Sequence, residues 1–122
     1  MAEKPEELGS RFRMRSSLDF SAVYSTRLSL RTKDLIVCVR RNGLGHPRIG
    51  LSVSVKIGNA VVRNRVKRIL RDIFRRNRES IPGDFDLVFI PKGSDAMLNY
   101  VAAEDAFLDL MRRLSARAER SE

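Results

Sequence analysis

Residues 56–78 read KIGNAVVRNRVKRILRDIFRRNR, and the rest of the chain has to be fitted around them. Nine of these residues are basic: Lys56, Arg63, Arg65, Lys67, Arg68, Arg71, Arg75, Arg76 and Arg78. Asp72 is the one acid. Val62, Val66, Ile69 and Ile73 recur at steps of three and four, with Leu70 and Phe74 beside them. At about 100° per residue this spacing gathers them on one face of an α-helix. Arg63, Asn64, Lys67, Arg68, Arg71, Arg75 and Arg78 fall on the other side. The stretch predicts one helix that buries one face and presents cations on the opposite one, with Asn59 as its cap.

Outward from this helix the period changes from 3.6 to 2. Residues 48–56 alternate sharply, with Ile49, Leu51, Val53 and Val55 set against Arg48, Gly50, Ser52, Ser54 and Lys56. Residues 34–41 (DLIVCVRR) form a second Val/Ile-rich strand, with Leu35, Val37 and Val39 on its apolar face. The turn chemistry of 42–47 (NGLGHP) between them predicts an antiparallel hairpin. One face of that hairpin needs a helical cover. The small residues Gly50, Ser52 and Ser54 leave the other open to close approach, or simply to solvent. Beyond the helix, Pro82-Gly83 turn the chain into an apolar strand at 85–90 (FDLVFI). A loop at 91–94 follows. Asn99 then caps a last helix with Ala103, Phe107, Leu110, Met111 and Leu114 as its buried stripe.

Before the strands, residues 16–24 suggest a short helix capped by Ser16 or Ser17, with Asp19 in its first turn. Phe20 and Tyr24 share a face. They can pack into a core or offer a stacking surface to bases. Arg-Phe-Arg-Met-Arg at 11–15 leads into that helix as an extended segment or a basic arm. The fold class expected is α+β, an α-β-β-α-β-α sandwich of a small sheet and helices. Residues 1–10 are expected to be a disordered acidic tail, 11–117 a single domain and 118–122 a frayed end.

The chain has 122 residues and carries a net charge of +9. So basic a domain suits a polyanionic partner, nucleic acid before membrane surface. No stretch approaches the ~18 apolar residues of a membrane span, and residues 1–10 hold no signal-like apolar segment, so a cytoplasmic protein is expected. One cysteine, Cys38, allows no internal disulfide and no cysteine-based metal site.

Protein-borne catalysis needs paired carboxylates, a His/Cys pair or metal ligands, and no such constellation is found. Asp84 and Asp86 read as solvated acids at a strand start, His46 as part of a turn, and Cys38 as a half-buried thiol. No catalytic residue and no metal site is assigned. A solvated cationic face is the plain alternative for the helix. Against it stand the pairs Arg63–Lys67, Lys67–Arg71 and Arg71–Arg75, each cation on cation at i,i+4, which an external anion would relieve. Arginine forks suit phosphate, and Asn64 can read a base edge or a ribose hydroxyl.

The run GLSVSVKIGNAVVRNRVKRILRDIF at 50–74 resembles the signature of the bacterial ribonuclease P protein component. The core of that signature is Arg63-Asn64-Arg65 followed by Lys67, Arg68 and Arg71, and the resemblance extends over about residues 11–114. It implies an α/β sandwich with a left-handed βαβ crossover, similar to the second domain of a small-subunit ribosomal protein. It also implies the protein subunit of an endoribonuclease that removes the 5′ leader from precursor tRNA. In this family the RNA subunit carries the chemistry, with magnesium held by that RNA. By resemblance, Arg63, Asn64, Arg65, Lys67, Arg68, Arg71 and Lys56 bind RNA. The leader cleft falls on Phe20, Tyr24, Ser52, Ser54 and Cys38. Cys38 stands where the family has an aromatic and Val55 where it has a second lysine. The expected partners are the RNA subunit and precursor tRNA, with no membrane and no obligate protein partner. The alternative is a non-catalytic, ribosome-associated RNA-binding protein.

Overall fold

The computed structural model describes residues 9–93 and 95–121, with side chains described as far as Ala118. Most of the expected acidic tail, and Ser94 of the expected loop, lie outside the described residues. Three helices and four strands follow one another: α1 (Ser17–Ser25), β1 (Ser29–Arg31), β2 (Leu35–Arg41), β3 (Arg48–Leu51), α2 (Ala60–Arg76), β4 (Phe85–Pro91) and α3 (Tyr100–Ser121). Short 3₁₀ turns sit at Ser10–Phe12, Val55–Ile57 and Arg78–Ser80. Helix α3 continues to Ser121, into the segment expected to fray.

The helix caps fall where the side-chain chemistry put them. The Ser16 hydroxyl accepts from Leu18 N–H at 3.1 Å, Asn59 Oδ1 from Val62 N–H at 3.0 Å, and Asn99 Oδ1 from Ala102 N–H at 3.1 Å. Helix α2 buries Val66, Leu70, Ile73 and Phe74, with Val62 and Ile69 at the margins. Its stripe is thus turned slightly toward Leu70 and Phe74. Helix α3 buries all five expected residues, and Phe107 stacks on Phe89 with ring centroids 5.2 Å apart.

The expected hairpin is not formed. The sheet order is β1-β2-β4-β3, so β4 lies between the two strands that sequence proximity had paired. It runs antiparallel to β2 and parallel to β3. The physical reason is burial. Phe85, Leu87, Val88 and Phe89 are apolar and buried, and β4 gains most by taking a central place with covered faces. Strand β3 is also shorter than the alternation suggested, ending at Leu51, although Ser52 N–H still donates to the Phe89 carbonyl at 3.0 Å. Strand β1, not anticipated, adds an edge beside β2.

The hand of the β3-α2-β4 connection follows from chirality. The Phe89 side chain packs with α2 and α3, and its carbonyl points at β3. In an L-peptide strand running upward with a side chain toward the viewer, that residue's carbonyl points right. Seen from the α2 layer, β3 therefore lies to the right of β4. The chain passes from β3 through α2, in front, to a strand on its left, which is a left-handed crossover against the strong general preference. The Ile49 carbonyl fits the same frame, pointing away from β4 to accept Met14 N–H at 2.8 Å.

Helices α2 and α3 cover one face of the sheet. The opposite face is covered in part by α1, through a small cluster of Met14, Val23 and Val88 with Phe20, Cys38 and Ile90 around it. The lead-in at Arg13 lies parallel to Ile49 and shields the outer edge of β3.

Candidate RNA interface

The first turns of α2 carry the cations that lack internal partners. Asn64, Arg65 and Arg68 are exposed and Lys67 is half-buried. None of them makes a side-chain hydrogen bond or ion pair among the described residues. Arg63 is pinned at its base, its Nε donating to the Gly58 carbonyl at 3.1 Å. Lys56 is exposed in the 3₁₀ turn that leads into the helix. The last turns of α2 differ. There Asp72 holds Arg75 and Arg76 and accepts from the Tyr100 hydroxyl at 3.1 Å. Arg78 lies over the Phe12 ring, 4.5 Å from its centroid. Arg75 and Arg78, expected on the open cationic face, are thus engaged within the fold. The unpaired charge is concentrated between Lys56 and Arg71.

Beside this face the lead-in, α1, β3 and α2 enclose a cavity of about 260 Å³. Arg13, Arg15, Lys67 and Arg71 line it together with Phe20 and Met14. Burial, and then the charges of Arg13 and Arg15, push the Arg71 guanidinium below its ordinary value. The Nε of Arg13 is buried and has no hydrogen-bond partner among the described residues. Four cations and an unmatched donor around one small volume make a place for an anion. Arg13 and Arg15 were legible only as a basic arm, and their alternation with Phe12 and Met14 is the signal that sets them along the edge of β3.

Phe20 enters the cavity from α1 because Gly50 makes room for it. A Cβ at Gly50 would lie 2.7 Å from Phe20 Cζ. Glycine at position 50 therefore admits a side chain of the protein itself, where the sequence suggested an open sheet surface. Tyr24 sits next to Phe20, ring centroids 6.3 Å apart, and is 41% exposed. Cys38 lies on the same sheet face, half-buried beside Val23 and Val88, and burial raises its thiol pKa. Ser52 is half-buried and Ser54 exposed along the chain between β3 and the 3₁₀ turn. The structure thus joins Phe20 to Lys67 and Arg71 in one cavity. Tyr24 and Cys38 lie on the α1 side of the sheet outside that cavity's lining.

One buried charge was misread from sequence. Asp86 is fully buried and not a solvated acid. In register it faces Arg40 on β2 and Arg48 on β3. Arg48 grips it with Nε and a terminal nitrogen, each at 2.8 Å, while the Asn42 amide donates at 2.8 Å. Arg40 lies 3.4 Å away. Among the described residues, no three His, Cys, Asp or Glu side chains gather into a metal-holding group, and no helix is long and apolar enough to cross a membrane.

The family model for ribonuclease P matches residues 8–115. The chain is 35% identical over 103 residues to the ribonuclease P protein component of Alkaliphilus oremlandii, covering 84% of this chain and 90% of that protein. It is 34% identical over 113 residues to that of Thermotoga maritima, covering 89% and 97%. The solved Thermotoga maritima ribonuclease P protein superposes with a TM-score of 0.75 at 34% identity, over 83% of this chain and 96% of that one. The Staphylococcus aureus protein gives 0.75 at 27% identity, over 84% and 94%. A family model that spans nearly the whole described chain, relatives at about 35% identity and a shared fold lead to one assignment: the chain belongs to the ribonuclease P protein family and is the protein component of that ribonucleoprotein endoribonuclease of tRNA processing.

Proposed function

We propose that the first turns of α2, from Arg63 to Arg71 with Lys56, dock the RNA subunit, while the cleft between α1 and the sheet receives the 5′ leader of precursor tRNA. The observation that carries this reading is the shared cavity, in which the Phe20 ring stands among Arg13, Arg15, Lys67 and Arg71. A single strand offers alternating bases and phosphates, and such a cavity offers a ring for one and guanidinium forks for the other. Ser52 and Ser54 add neutral hydrogen-bonding groups at its border.

Magnesium, in this reading, belongs to the RNA subunit. The chain's own interface is cationic, and its two most engaged carboxylates, Asp72 and Asp86, are taken up by arginines. These residues do not suit a divalent cation, and no step is assigned to a protein-bound metal. The work proceeds in the cytoplasm, where precursor tRNA is made.

Cleavage of precursor tRNA at low magnesium, with protein alone, RNA subunit alone and both together, tests the reading. Only the mixture should be fast, and a mixture no better than the RNA alone would refute it. Phe20→Ala should weaken binding of precursors with a long leader by about 1–3 kcal/mol, the usual worth of one stacked base. Binding of mature tRNA should be unchanged in the same assay. An equal loss for both would mean that the vacated space beside Gly50 had disturbed the fold.

A further inference from the structure

We propose that Asp19 is a positioning residue of the leader cleft: through Arg48 and the buried Asp86 it fixes where α1 holds Phe20 and Tyr24 over the sheet, and so sets how tightly a single-stranded polynucleotide is gripped. This rests on the cleft reading above.

The apolar hold of helix α1 on the sheet is narrow, made by Val23 and Phe20. Of its nine residues only Val23 is fully buried, and Leu18 and Tyr24 are exposed. A nine-residue helix is marginal alone and depends on its tertiary contacts, so each hold on the sheet counts. Two polar contacts add to that packing, one near each end. Near the C-terminal end the Thr26 hydroxyl reaches the Val39 carbonyl on β2, 2.9 Å away. Near the N-terminal end Asp19 Oδ1 lies 3.5 Å from the Arg48 guanidinium on β3.

Arg48 is a fixed anchor. Both of its bonds to Asp86 are 2.8 Å long, and Asp86 is held in turn by Asn42. A bidentate fork against a buried carboxylate leaves the guanidinium little freedom to follow Asp19 outward. The constraint therefore passes from the centre of the sheet to α1. Asp19 immediately precedes Phe20, whose ring lies so close over Gly50 that no methyl group would fit between them. A base stacking on Phe20 or Tyr24 needs the ring at a set height beside the cavity cations. Loosening the Asp19 contact lets that height vary while the ring itself remains present.

The test uses the reconstituted holoenzyme with precursor tRNA bearing a long leader, and mature tRNA as the comparison. Asp19→Asn keeps the side-chain shape and removes the charge. It should weaken leader-bearing precursor by roughly two- to fivefold, the range expected for a partly exposed ion pair. Mature tRNA affinity and the single-turnover cleavage rate at saturating precursor should not change, and Asp19→Glu should restore part of the loss. A merely structural role, such as support of the α1 dipole, would instead lower the melting temperature and weaken both RNAs alike, which would overturn the proposal. Phe20→Ala is measured in parallel. If it removes the leader's contribution while Asp19→Asn does not, positioning by Asp19 is refuted and the cleft stands. If Phe20→Ala also leaves the leader's contribution intact, the cleft reading falls and this proposal with it.

Discussion

Replacing Asp86 with alanine should cost the fold about 3 kcal/mol, read as a lower urea midpoint at unchanged m-value. The lower end of the usual range for breaking a buried pair is chosen because Arg48, though held by a fully buried partner, keeps 17% of its side chain exposed. Removing the carboxylate leaves Arg48 with its longer, 3.5 Å contact to Asp19 and the Asn42 amide without one acceptor. Against a total of about 5–15 kcal/mol, that loss is large for one side chain at a site with no catalytic role. The pair matters less than its breaking. Asp86→Leu combined with Arg48→Met should be clearly more stable than the sum of the single losses predicts, since two apolar groups leave no orphaned charge. Simple additivity of the two changes would show that Arg48 and Asp86 are not coupled. The same cluster sets an acid limit. Burial alone would raise the Asp86 carboxyl, but the bonds from Arg48 and Asn42 and the charges of Arg48 and Arg40 outweigh it and hold it below the ordinary carboxylate value. Asp72, under Arg75, Tyr100 and Arg76, is likewise held low despite burial. A carboxyl with a depressed folded-state pKa stabilises fully above its unfolded value and loses that stabilisation as pH falls through the folded one. Stability should therefore be flat at neutral pH and fall below the ordinary carboxylate range, with the fall reduced in Asp86→Asn.

That cluster also marks where the sequence stopped being legible. Helix α2 could be read in its extent, cap and cationic first turns because that information is local, whereas the engagement of Arg75 and Arg78 by Asp72 and Phe12 could not. The caps at Ser16, Asn59 and Asn99 and the buried stripe of α3 were legible for the same reason. The order of the strands is a non-local property. Arg40 and Arg48 meet Asp86 from 46 and 38 residues away, and nothing near Asp86 announces them. With β2 and β3 taken as a hairpin, Asp86 had no partners and looked solvated. Once β4 is placed between them, an acid flanked by two arginines is what the register requires. Strand β1, only three residues long, is too short for an alternating pattern to show. The site divides in the same way. The α2 cations are legible from spacing, whereas the joining of Phe20 with Arg13, Arg15 and Arg71 depends on the lead-in running along β3. Gly50 shows the limit at a single residue, since a glycine on a strand signals close approach without saying by what.

Replacing Arg65 and Arg68 together with alanine should lower affinity for the RNA subunit about a hundredfold at low salt, with no measurable loss of stability. The two expectations have one cause. Neither guanidinium has a partner among the described residues, so removing both strands nothing and relieves like-charge repulsion along α2. Thermal unfolding should then stay within the about 0.5 kcal/mol typical of surface changes. If α2 docks the RNA as proposed, each guanidinium would give a charge-assisted bond to phosphate, worth roughly 1.5 kcal/mol at the low end. Two such bonds give about 3 kcal/mol, hence the hundredfold. Each phosphate contact also releases counterions, so the slope of log affinity against log salt should flatten by about 0.7–0.9 per arginine. The control is Arg112→Ala with Arg113→Ala on α3. It removes the same formal charge, but both arginines are already held by Asp109, at 3.0 and 2.8 Å. If long-range attraction to a basic protein were the whole effect, the two double variants would weaken binding alike. If α2 makes the contacts, the slope changes for Arg65 and Arg68 and not for the α3 pair. Salt titration of the parent protein and the two double variants side by side decides between a protein that is merely basic and one that docks through a particular helix face.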